Sequence, residues 1–164
     1  MSHTLIVMRH AKSSWQTSEP DHRRPLAKRG VHDATVAGEI LAGYQLDTVL
    51  ASSSVRTRQT WQTAELSGAR CADVQFTDAL YGAWEDSVVA LLRELDEAIG
   101  TAMVLGHEPT MSSLIDTLAE PSELADEATA HYPTSAMAFL EYSGAWADLD
   151  AGRMSLVRFE IPRG

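Results

Sequence analysis

The sequence predicts an α/β fold, a three-layer α/β/α sandwich around a mainly parallel central sheet with an antiparallel edge. Three observations carry this. Short, continuous apolar runs alternate with stretches of helical periodicity, the pattern of strands buried on both faces between covering helices. Each of the first runs leads within a few residues into a helix-start signal. The last two runs have only a turn-rich segment between them, as in a hairpin. The 164 residues are expected to form one domain spanning 1–164 without a lid domain, and such a chain buries about 70% of its unfolded surface.

Taken in order, "HTLIVM" (His3–Met8) is the first compact apolar run and predicts a strand. "GVHDATVAGEILAG" follows as a helix, with Val31, Ala34, Ala37, Ile40 and Leu41 at helical spacing and Gly43 as its stop. "DTVLAS" (Asp47–Ser52) predicts the second strand, and "VRTRQTWQTAELSG" a helix ending near Gly68. In "DSVVALLRELDEAIG" the stripe Val88, Leu91, Leu92, Leu95 and Ile99 predicts a helix closed by Gly100, with Asp86 as its N-cap. "TAMVLG" (Thr101–Gly106) is the third strand, and Pro109 suits the first turn of a helix in "HEPTMSSLIDTLAE". "EPSELADEATAHYPTS" is polar and acidic and reads as a surface loop with a short helix. "SAMAFLEYSG" and "MSLVRFEIP" then pair as a hairpin on the sheet edge, around turn signals at Asp150 to Gly152.

Thirteen basic against twenty-three acidic residues give a net charge of −10. Such a surface repels nucleic acid and anionic membrane, so any anion site must be a local basic pocket. The single cysteine, Cys71, excludes an intramolecular disulfide and suits a reducing compartment. No apolar stretch approaches the about 20 residues that span a bilayer. Arg9 and His10 cut the N-terminal apolar run short, so no secretory signal is read there, and a cytoplasmic protein is expected.

In open α/β sheets, ligands bind beyond the carboxyl ends of the strands. "LIVMRHAKSSW" places Arg9 and His10 at such an end. Ser52, Ser53 and Ser54 follow the second strand and lead into Arg56, while His107 follows "MVLG" and precedes a helix. Three strand ends thus bring basic and hydroxyl groups near helix N-termini, whose free amides attract anions. The expected ligand is a compact anion, most simply phosphate. Arg9 and Arg56 suit a bidentate clamp, and Arg58, two positions from Arg56 on a helix, should face away. Two histidines add chemistry, one as a neutral nucleophile and one protonated to balance charge on the transferring group. There is no Walker loop, no "GxGxxG" and no carboxylate cluster for a metal, so no metal or cofactor is expected.

These segments, with "RPLAKRG", "SSSVRTRQT", "VLGHEPTMSSL" and "TSAMAFLEY", resemble the histidine phosphatase superfamily and, within it, the SixA-like phosphohistidine phosphatases. The resemblance implies a phosphoglycerate-mutase-like fold, with His10 as the nucleophile that becomes phosphorylated and Arg9, Arg56 and His107 in the phosphate pocket. Arg24 lies in a segment typical of the branch. Ala11 stands where the wider family has glycine. Gln16 falls where mutase-like members carry asparagine, and Ser13 offers a hydroxyl, so both are expected phosphate contacts.

The expected activity is metal-independent removal of phosphate from phosphohistidine in a protein. Alternatives are a broad small-molecule phosphomonoesterase of the same fold and a non-catalytic phosphate-binding module, with a mutase least favoured. An alkoxide leaving group needs a proton donor, and Asp78, Glu85 and Asp86 are weak candidates. A departing imidazole is less basic by about nine pKa units, which favours phosphohistidine. His3, His22, His32 and His131 lack metal-ligand spacing and are expected at the surface. Trp15 and Trp84 are placed at the pocket mouth or in packing. The oligomeric state is not read from the sequence.

Overall fold

The computed structural model describes residues 2–164. Its sheet has six strands: β1 (His3–Arg9), β2 (Thr48–Ser52), β3 (Val74–Thr77), β4 (Thr101–Gly106), β5 (Met137–Tyr142) and β6 (Ser155–Glu160). The spatial order is β3-β2-β4-β1-β5-β6. β3, β2, β4 and β1 run parallel, whereas β5 is antiparallel to both β1 and β6. The helices are α1 (Lys28–Leu41), α2 (Val55–Leu66), α3 (Glu85–Arg93), α4 (Thr110–Leu118) and α5 (Glu123–Ala130). The predicted three layers and antiparallel edge are observed.

The central strands are apolar on both faces because each face meets helices. Leu5 and Val7 of β1 join Ala102 and Val104 of β4 in a core shared with α3, α4 and α5. Ile6 and Met8 alternate to the other side, where they meet Met103, Leu105 and residues of α1 and α2 such as Leu41 and Trp61. A Cβ on Gly38 would collide with the Ala64 backbone, so this glycine lets α1 and α2 approach closely. A Cβ on Gly30 would likewise meet the Lys12 carbonyl, which ties α1 to the loop after β1.

Several expectations are corrected. β3, in "VQFT", was not expected: it is only four residues long and partly buried, too short for a periodic signal. α3 stops at Arg93 rather than Gly100. Glu94 and Leu95 tighten onto the Leu91 and Leu92 carbonyls, and the Asp96 carboxylate accepts the Ala98 amide, a local turn that competes with the helix. The N-cap of α3 is Trp84, not Asp86, whose carboxylate accepts only the adjacent Ser87 amide. Val31 of the predicted α1 stripe is 41% exposed, while Gly30 beside it in the first turn is buried.

Candidate active site

The parallel strands end in a cleft of about 480 Å³. Its lining cations are Arg9, Lys12, Arg24 and Arg56, its histidines His10 and His107, and its carboxylates Asp21 and Glu108. Ser13, Trp15, Tyr81, Gly82 and Thr134 complete the wall. The electrostatic inversion expected of an acidic protein with an anion site is therefore local: four permanent cations face two carboxylates.

His10 is the first residue past β1 and only 7% exposed. Its amide donates to Gly106 O (2.9 Å) and its carbonyl accepts from Ser135 N (3.0 Å). Ser135 adopts the left-handed region at φ 68°, uncommon for a residue with a Cβ. The ring Nδ1 lies 2.7 Å from Ala11 O. A carbonyl only accepts, so Nδ1 carries the proton and Nε2 the lone pair. Among the described residues, Nε2 has no hydrogen-bond partner. Burial, then the positive surroundings of His107, Arg56 and Arg9, pushes the imidazole pKa down to about 3, so the ring is neutral at physiological pH.

His107 faces it at 5.1 Å between ring centroids. The Arg56 NH2 group donates to His107 Nδ1 (3.4 Å), which leaves Nε2 to donate to Ser52 Oγ (2.7 Å). Burial and then Arg56 lower this ring to about 4. Arg56 is itself 6% exposed and its Nε has no partner. α2 is tied directly to the loop after β1, because Thr60 donates to Arg56 O (2.7 Å) and accepts from Ala11 N (3.0 Å). Arg9 donates to Tyr132 O (3.2 Å), and its buried Nε is unpartnered.

The fold thus brings Arg9, His10, Arg56 and His107 together. Ser13 also lines the cleft, but its hydroxyl accepts from Arg24 NH1 (2.8 Å). Gln16 does not line it and is exposed, its amide bonded to Ser14 Oγ. The chain turns outward after Trp15. Asp78, Glu85 and Asp86 stand outside the lining as well. Asp78 accepts from Ser53 Oγ and lies 4.0 Å from His22. Arg58 points away as expected, bonded to Ser53 O (2.9 Å) and stacked on Phe76. The α4 terminus offers fewer free amides than expected: those of Met111, Ser112 and Ser113 are taken by His107 O, the Glu108 carboxylate and Pro109 O.

Trp15 (73% exposed) stands at the mouth with Arg24 stacked over its ring at 3.6 Å. Trp84 lines a smaller adjoining hollow beside His107 and Pro109. His32 and His131 are exposed, and Cys71 is half-buried. His22 is half-buried against Tyr81 and Ser53. His3 is not a surface residue: it is 1% exposed on β1, bonded to Gly144 O (2.9 Å) and packed on Trp146.

The lining residues missed in the sequence are Lys12, Asp21, Tyr81, Gly82, Glu108 and Thr134, of which Asp21 and Tyr81 are bonded to each other beside Arg56. The carboxylate of Asp21 accepts from Tyr81 OH (2.7 Å), Arg56 NH2 (3.1 Å) and Arg24 Nε (3.3 Å). These partners hold its pKa down at about 2, with Tyr81 the largest cause. The i, i+3 spacing of Asp21 and Arg24 beside Pro20 was a usable signal. Tyr81, from the loop between β3 and α3, gave none.

The histidine phosphatase superfamily (branch 1) matches residues 5–140. An uncharacterised protein of Mycobacterium tuberculosis is 37% identical over 162 residues, covering 95% of this chain and 100% of that protein. A candidate phosphohistidine phosphatase SixA from Nakamurella multipartitia has the same fold, with a TM-score of 0.86 and 34% identity over 99% of this chain and 97% of that one. A candidate SixA from Agrobacterium tumefaciens superposes with a TM-score of 0.82 and 27% identity, covering 98% of each chain. With the cleft's paired histidines and arginines, these likenesses place the chain in the histidine phosphatase superfamily, in its SixA-like branch.

Proposed function

We propose that this phosphatase removes phosphate from phosphohistidine carried by another protein, through a phosphorylated His10. The observation that carries the reading is the pairing of an open His10 Nε2 lone pair with the buried, clamped guanidinium of Arg56. In the first step His10 Nε2 forms a bond to phosphorus while the bond from phosphorus to the substrate imidazole breaks, and the departing ring takes a proton from solvent. In the second, a water oxygen attacks phosphorus, the bond to Nε2 breaks, and inorganic phosphate leaves with His10 neutral again. Arg9 and Arg56 bind the equatorial oxygens. His107 gains a proton at Nδ1 when the dianion arrives and donates it as a hydrogen bond, its Nε2 still held by Ser52.

The choice of substrate rests on the acid. Of the two cleft carboxylates, Asp21 does not offer a proton to an alkoxide in the way an ester substrate requires. Asp21 is held ionised by Tyr81 and the arginines, and Glu108 accepts from both the amide and hydroxyl of Ser112 at 2.7 Å. Access agrees: β3 and α3 are joined by a short segment whose only element is the turn Asp78–Leu80, so the cleft is open to a side chain projecting from a partner surface. The arginines supply the charge neutralisation, and the mechanism uses no metal.

The test is a panel of a phosphohistidine phosphocarrier protein, free phosphoramidate and several alkyl phosphomonoesters, with enzyme quenched in alkaline detergent analysed for acid-labile phosphate on residue 10. The phosphocarrier should be turned over fastest, and excess EDTA should leave the rate unchanged. Faster hydrolysis of alkyl esters than of any phosphohistidine protein would transfer the assignment to the small-molecule class, and unlabelled His10 would leave only a binding module.

A further inference from the structure

Asp21 receives hydrogen bonds from three side chains, those of Arg24, Arg56 and Tyr81, yet no step above uses it. Its carboxylate receives Arg56 NH2, Arg24 Nε and Tyr81 OH, and its backbone carbonyl receives Arg56 NH1 at 2.7 Å. These donors come from α2, from the segment after the one-turn helix Asp21–Arg23, and from the loop between β3 and α3. Arg56 is therefore gripped on two of its nitrogens by one residue, Asp21. A guanidinium so fixed meets a transferring phosphoryl group without reorganising.

The grip also has an electrostatic consequence. With both histidines neutral, the lining carries four cations and two carboxylates. A phosphate dianion, even with the proton it draws onto His107, brings the filled cleft close to neutral, so it is attracted but not over-held. Removing the Asp21 charge would leave the cleft over-positive toward the product.

Resting on the phosphatase reading, we propose that Asp21 is a positioning residue that fixes Arg56 for phosphoryl transfer and whose charge restrains the cleft's affinity for the oxyanion product. The two effects separate experimentally. Hydrogen-bond geometry at Arg56 matters most in the transition state, whereas the carboxylate charge opposes every bound oxyanion.

The experiment compares wild type with Asp21→Asn, measuring the dissociation constant of inorganic phosphate by calorimetry and kcat on the best substrate. Inorganic phosphate should bind about 3- to 10-fold more tightly to the variant, the effect of one unit charge a few ångströms from a dianion in a hydrated cleft. Turnover should fall about 10-fold as Arg56 loses its fixed partner. A residue that only supported the fold would weaken phosphate binding together with turnover. A phosphate dissociation constant that stays the same or rises, or an unchanged kcat, overturns the proposal. Should Asp21→Asn fail to fold, Tyr81→Phe decides: it removes one donor from the same carboxylate without altering charge. It should lower kcat about 2- to 3-fold while phosphate binding stays within about 2-fold, and an unchanged kcat again overturns the idea. Absence of labile phosphate on wild-type His10 would overturn the phosphatase reading separately, and the phosphate-affinity comparison would still test the charge of Asp21.

Discussion

His3 and His10 stand at opposite ends of one strand, and both are buried, at 1% and 7% exposure. At the start of β1, His3 turns both ring nitrogens to protein oxygens, Gly144 O on one side and the Glu97 backbone and carboxylate on the other, and it packs on Trp146 at 4.7 Å. Beyond the end of β1, His10 is satisfied on one nitrogen only, and its surroundings are Arg9, Arg56 and His107. Burial alone therefore does not mark a functional histidine. One nitrogen left open among cations singles out the candidate nucleophile, because it leaves a lone pair facing the cleft in which, on the proposed reading, the oxyanion would be held.

The comparison breaks most visibly by substitution at each end. His10→Ala should lower turnover by about 10⁴-fold or more, as loss of a covalent nucleophile does, with no labile phosphate trapped. His3→Ala should leave turnover within about 3-fold, the sites being far apart. It should instead cost about 2–4 kcal/mol of stability, from the cavity against Trp146 and the stranded Gly144 carbonyl. Chemical denaturation alongside steady-state kinetics reads both, and a large rate loss in the His3 variant would erase the distinction. Next in size, Arg56→Ala should reduce kcat/KM about 10²- to 10³-fold, the range for one preorganised donor to a developing anion.

What was legible in the sequence follows from the same contrast. β1, β2 and β4 announced themselves because both their faces are buried, giving unbroken apolar runs, and Arg9, His10 and His107 were readable as polar residues directly beyond such runs. β3 left no run, because one edge strand of four residues buries little. The strand-end logic has no purchase on Asp21, which comes from a one-turn helix and reaches the cleft only through tertiary contact. It fails for Gln16 for the opposite reason: proximity to the "RH" pair in sequence does not survive the outward turn at Trp15. His3 was placed wrongly because its partners, Gly144 and Glu97, are remote in the chain.

The smallest predicted effect sharpens the comparison through pH. His10 is lowered to about 3 and His107 to about 4 in the folded protein, while an unfolded imidazole titrates near 6.5. Below pH 6.5 the unfolded chain therefore takes up protons that the folded cleft refuses, so stability rises with pH in this window. The contribution is complete above 6.5 and is lost as pH falls through about 4 and then 3. At pH 5 the share lost through His10 is about 2 kcal/mol relative to neutral pH. Urea unfolding at pH 7.5 and pH 5 should then show wild type losing about 2 kcal/mol more than His10→Gln over the same interval. Equal losses in the two proteins would mean that the open ring at residue 10 takes up protons as readily in the fold as out of it, and with that the electrostatic contrast between the two ends of β1 would disappear.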